Sequence, residues 1–159
     1  MSPDLAKKIQ LGLDELAAIR GIMSPLIALT GEAELPVIET AAACTMLHSF
    51  YTEIEKILKL IALDFDKQIS SSESWHRDLL SQMSATTDAR PAVITSELVT
   101  RLTELMSFRH LFRHASIVLM RWNKLSPLVA NVDGVYRETV RELNQFQRYL
   151  GLGSPDRNE

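Results

Sequence analysis

The chain lacks a second cysteine, a long apolar run and any strand-like alternation, and each absence removes a class of protein. Cys44 stands alone, so no disulfide can form within the chain. Its neighbours Ala41, Ala42 and Ala43 mark it as a small buried hydrophobe rather than a nucleophile. No window holds 18 uncharged apolar residues, which excludes a membrane-spanning helix. The opening MSPDLAKKIQ has lysines but no apolar stretch behind them, so no secretory leader is expected and the cytoplasm is the expected compartment. A net charge of -3 argues against a protein that coats nucleic acid, though it leaves room for a local basic site. No period-2 pattern of Val, Ile and Thr occurs, nor an internal repeat, so helices must pack on helices.

What is present fits one ordinary globular core. Apolar residues make up 46% and charged residues 23% of 159 positions, which excludes a mainly disordered chain. Residues 1–150 read as a single helical domain and 151–159 as a flexible tail. Leu5, Ile9, Leu13, Leu16 and Ile19 recur at helical spacing and predict a helix over 3–23. Ser24-Pro25 and Thr30-Gly31 then predict a break. Leu47, Phe50, Ile54, Ile57, Leu58, Ile61 and Phe65 form the longest stripe and predict a helix over 36–66 that acts as the spine. Glu53, Glu55, Lys56 and Lys59 fall between these positions and read as a mostly solvated face, with Glu55–Lys59 a favourable pair one turn apart.

After the polar run QISSSES, Ser74 predicts the cap of a short helix over 74–83. Thr95 predicts the start of another that nothing interrupts before Trp122. Pro127 predicts a break, and Val132, Val135, Val140, Leu143 and Phe146 predict a last helix over 131–150, ended by Gly151 and Gly153. The fold class is therefore all-α, an antiparallel bundle of about five helices.

One segment does not read as purely structural. Arg101, Arg109, His110, Arg113, His114 and Arg121 face a single acid, Glu104, within an otherwise acidic protein. Projected on a continuous helix, Leu105, Phe108, Leu111, Phe112, Ala115, Val118, Leu119 and Trp122 make one apolar face. Leu102, Met106, Ile117 and Met120 lie on the other, beside Arg109, His110 and Arg113. Two apolar faces predict two coverings, one of them another helix or a second subunit. His110 and His114 sit one turn apart, but Leu111, Phe112 and Arg113 between them offer no acid and one repelling charge, so no metal is expected. Arg109 and His114 lie about 140° apart around a helix and would flank a groove. A histidine can move protons at a phosphodiester while a guanidinium holds its charge. His48 and His76, each beside an aromatic residue, read as hydrogen-bonded structural histidines.

The string RHLFRH at 109–114 resembles the R-x4-6-H motif of the HEPN superfamily, and the whole chain more closely resembles HepT-like ribonuclease toxins. LHSFYTEIEKILKLIA at 47–62, SWHRDLLSQM at 74–83 and the RWNKLSPLV run resemble further stretches of that family in the same order, so the likeness covers most of residues 5–150. It implies a homodimer that cuts RNA without a metal or other cofactor, at a composite cleft on the dimer axis, and a partner antitoxin of the MNT nucleotidyltransferase type. It implies Arg109 as the phosphate-binding residue and His114 as the catalytic histidine, with His110 and Arg113 in support. Ser116 stands where neutralised members carry the tyrosine that receives AMP, so control by surface masking or at another position stays open. So does a non-catalytic helical module that binds RNA, a nucleotide or a nucleotidyltransferase subunit.

Overall fold

The computed structural model describes residues 2–149 and 151. It contains α1 (Leu5–Ile22), α2 (Ser24–Ala28), α3 (Val37–Phe65), α4 (Trp75–Ser84), α5 (Ser96–His114) and α6 (Trp122–Tyr149), with a 3-10 turn over Ile117–Leu119. No strand occurs among the described residues. Long α3 is the spine, packed against α1, α4, α5 and α6. Its apolar stripe from Leu47 through Ile61 is wholly buried, as is Cys44, whose thiol burial pushes up to about 11. That thiol stays protonated and inert.

Close approach explains why α1 lies along α3. A Cβ placed on Gly12 would stand 2.5 Å from Cγ1 of the buried Ile57, so only glycine lets the two backbones meet at this depth. The 85–95 connection is held differently. Arg90, buried to 3% exposure, donates to both Asp66 oxygens at 2.9 and 2.6 Å and to the carbonyls of Ala85, Pro91 and Gln82. The arginine thereby ties the end of α3 to the end of α4. At the start of α5, Thr95 accepts from the Leu98 N–H and donates its own N–H and hydroxyl to the buried Glu142 of α6. The helix start expected at Thr95 is present, with Thr95 as its cap; at Ser74 the helix begins on the expected residue, but the serine hydroxyl caps nothing.

Three expectations need correction. Ser24-Pro25 opens the short α2 rather than a loop, because proline in the first turn has no N–H to lose. Next, α5 stops at His114 instead of reaching Trp122, with Ala115 and Ser116 extended. Finally, α6 starts at Trp122 rather than near 131 and carries Pro127 in its second turn. The reversal sits at 115–121, where neither glycine nor proline signals it, because Trp122 has to enter the core. The indole is 3% exposed and donates to the Glu32 carbonyl at 3.0 Å. Arg121 closes the turn by donating to the Val118 and Met120 carbonyls. Burial of one tryptophan thus outweighs local propensity. Gly151, with φ of 71°, donates its N–H to the Arg148 carbonyl as a helix-ending glycine should. Leu150, Gly153 and the rest of the expected tail lie outside the described residues.

These contacts give a stability test. Arg90→Met should cost about 3–5 kcal/mol by urea unfolding, since it removes the charge partner of a mostly buried carboxylate, left with Gln82 alone, and a donor from three carbonyls. Gly12→Ala should also destabilise, by about 1–3 kcal/mol through overpacking against Ile57, despite alanine's better helix propensity.

Candidate functional site

Of the six basic residues that drew attention to 101–121, two are spent on structure. Arg101 pairs with Glu138 at 2.7 Å, and Arg121 holds the turn after α5. Arg109, His110, Arg113 and His114 remain, in the last two turns of α5. The faces expected for this helix also change once it ends at His114. Leu102, assigned to the second face, is fully buried by the chain's own helices, whereas Leu111, Val118 and Leu119, assigned to the core, are 53%, 69% and 69% exposed. A projection carried past residue 114 has no helix to describe.

Arg109 is half-buried where α3, α4 and α5 meet. From α3, His48, Tyr51 and Glu55 present a polar stripe at steps of three and four inside an otherwise apolar face. From α4, His76 inserts between Glu55 and Arg109. Its Nδ1 lies 2.5 Å from Glu55 Oε2, while Arg109 Nη1 approaches Nε2 at 3.4 Å and Nδ1 at 3.5 Å. Trp75 stacks on the His76 ring at 3.7 Å and 29°, and Lys59 lies over Trp75 at 4.9 Å. Glu55 was expected on a solvated face with Lys59 as partner. It is instead 5% exposed and bound to His76, and Glu53, 7% exposed, pairs with Lys56 at 2.9 Å. The inner edge is not fully satisfied: Arg109 Nε and His48 Nδ1 are buried without a hydrogen-bond partner.

Charge in this pocket shifts its titrating groups. Burial, then Arg109 and Arg113, holds His48 below the ordinary histidine value, with Glu55 acting in the opposite sense. Burial, and then Glu55, pushes the Tyr51 hydroxyl far above the tyrosine range, with Arg109 opposing. His48 also packs against Phe112, ring centroids 5.9 Å apart.

Outward from Arg109 opens a cleft of about 330 Å³, lined by Ser74, His76, Arg77, Ser107, Arg109, His110 and Arg113 among others. Three arginines and two histidines on its wall suit a ligand carrying phosphate. His114 is not in this wall. It is exposed at the end of α5, with its ring 4.8 Å from that of His110, and no contact joins it to Arg109. Among the described residues, no group of three or more His, Cys, Asp or Glu side chains is placed to hold a metal ion. Likewise, no helix among them is long and apolar enough to cross a membrane.

The model of the HepT-like protein family matches residues 42–150, which takes in all but the first five residues of α3, then α4 through α6, and the whole of this cluster. The chain belongs to the HepT-like family. It is thereby part of the HEPN superfamily. No curated protein and no solved structure matches the chain. In this HepT-like chain, the residues that sequence reasoning undervalued are His48, Glu55 and His76. The i, i+3, i+7 spacing of His48, Tyr51 and Glu55 along the buried stripe was the available signal.

The pH response of His48 follows from its surroundings. Its folded pKa lies below the unfolded value of 6.5, so the unfolded chain binds the proton first as pH falls. Its contribution to stability is therefore intact above the unfolded pKa and is lost progressively as pH drops from there toward the folded value. NMR of the His48 ring should give a midpoint below 6.5 in the folded protein, and a midpoint at or above it would contradict the assigned environment.

Proposed function

We propose that this HepT-like chain is a metal-independent endoribonuclease, the toxin of a toxin–antitoxin pair whose antitoxin is an MNT-type nucleotidyltransferase. RNA is cut at a site shared by two copies of the chain. The observation that carries the reading is the placement of Arg109. It is fixed from behind by His76 and opens forward into a cleft flanked by Arg77, His110 and Arg113. Such a cleft tracks a phosphate backbone, and its arginines act locally despite the net charge of -3.

In this reading Arg109 binds the scissile phosphate and stabilises the charge that develops on it. His114 moves the proton as the ribose 2′-hydroxyl attacks the adjacent phosphorus and the 5′-oxygen leaves. Because the two side chains do not meet in one chain, a two-fold pairing of α5 ends brings each Arg109 towards the partner's His114. The exposed Leu111, Val118 and Leu119 beside His114 supply apolar surface for such a pairing. His110 and Arg113 support RNA binding. Ser116 accepts the Val118 N–H at 3.4 Å and lacks the reach of a tyrosine, which favours control by masking of the cleft over transfer of AMP to this position. The same serine is what favours the second reading, a non-catalytic partner module that binds RNA, a nucleotide or the nucleotidyltransferase.

A labelled RNA incubated with antitoxin-free protein in EDTA separates the two. Wild type should cut it and leave a DNA of the same sequence intact. His114→Ala should slow cutting by about 10²–10⁴. Arg109→Ala should impair both binding and turnover, and His110→Ala should do less than either, all with near-native melting temperatures. Inactive wild type, or full activity in His114→Ala, would leave the partner-module reading standing. Light scattering should give twice the mass of one chain, and a monomer at micromolar concentration would remove the shared site.

A further inference from the structure

We infer that Glu55 and His76 form a carboxylate–imidazole relay that holds Arg109 aimed into its cleft, with His76 as a positioning residue. For its role in cutting RNA the inference rests on the ribonuclease reading; for the free chain it rests on geometry alone.

The proton assignments follow from what each group can do. A carboxylate only accepts and a guanidinium only donates, while a neutral imidazole carries one N–H and one lone pair. Glu55 Oε2 lies 2.5 Å from His76 Nδ1, so Nδ1 carries the proton. Arg109 Nη1 stands 3.4 Å from Nε2 and 3.5 Å from Nδ1, nearly equidistant from the two, so the guanidinium bears on the His76 ring as a whole rather than on one lone pair. The opposite tautomer would leave the ring nitrogen facing Glu55 unable to donate to a carboxylate that is 5% exposed.

The ring also keeps two opposite charges apart. Without it, the Arg109 guanidinium and the Glu55 carboxylate would lose the ring that stands between them. In a poorly solvated pocket that attraction would draw the arginine inward and away from the cleft. His76 resists this because it is itself gripped, by Glu55 at one edge and by Trp75 stacked at 3.7 Å on its face. At 3.4–3.5 Å the contact of Nη1 with the ring is loose, so it orients the guanidinium and leaves Nη2 for phosphate. The pocket accordingly fixes Arg109 before any ligand arrives, which lowers the cost of ordering it on binding.

The tautomer is tested on full-length, 15N-labelled wild type without RNA. Imidazole 15N shifts at pH 7 should show His76 as the Nδ1–H form, with that proton shifted far downfield, and Glu55→Gln should move the ring toward a mixture. Binding is tested with a fluorescent single-stranded RNA in a His114→Ala background, so that the probe is not cut. His76→Phe keeps the stacking on Trp75 but removes both ring nitrogens. It should weaken binding and lower the slope of log affinity against log salt by about 0.7, the loss of one phosphate contact. His76→Gln, which can accept from Arg109 and donate to Glu55, should recover part of both. An Nε2–H tautomer in wild type, or an unchanged salt slope in His76→Phe that is still folded at the assay temperature, would overturn the relay whether or not the wild type cuts RNA. Failure of wild type to cut, with the Nδ1–H tautomer and the reduced slope in place, would overturn the ribonuclease reading alone.

Discussion

Glu55 lies midway along the longest helix with almost no access to water, and a carboxylate in that position must be paired or give up its charge. Leaving such a charge without a partner costs about 3–5 kcal/mol, whereas a pair on the surface contributes about 0–1 kcal/mol. The first turn of α4 is arranged to meet this demand. Trp75 seats over Lys59 and His76 reaches Glu55, four residues and about one helical turn earlier on α3. Arg109 of α5 then closes on the outer side of the imidazole. Three helices are thus registered on one another by a charge that an apolar residue of the same size would have made unnecessary. That the core tolerates this arrangement, together with two unpartnered buried nitrogens beside it, is the physical ground for locating function there.

The two residues of the R-x4-H motif are treated unequally by the fold. Arg109 is enclosed, oriented and surrounded by groups that respond to its charge. His114 is exposed at the end of α5, where the chain leaves the helix for an extended segment. The bundle therefore encloses one member of the motif and presents the other outward, beside apolar side chains that its own core does not use. A charge that binds phosphate gains from being held still, since order present beforehand does not have to be created on binding.

Much of the fold was legible because α3 follows a strict helical period and because Thr95 is a cap with few alternatives. The α5–α6 boundary was not. Residues 115–121 carry no glycine or proline, whereas Pro127, the obvious breaker, sits inside a helix. The turn is placed by the need to bury Trp122, a tertiary requirement with no local signature. The same holds for the site. Arg109 and His114 stood out through resemblance, but Glu55 and His76 could not, because an acid on a long helix looks alike whether it faces water or a histidine 21 residues away. Only the polar interruption of the buried stripe at His48, Tyr51 and Glu55 hinted that α3 had a second duty.

Gly12 has a mechanical consequence as well as a packing one. Sliding α1 along α3 by one turn would bring Lys8 or Leu16 opposite Ile57, where even a methyl group finds no room. The contact works as a keyway: it admits α1 in a single axial setting and blocks shear between the two helices. The α1–α3 pair thus forms a rigid frame on which the rest of the bundle is built.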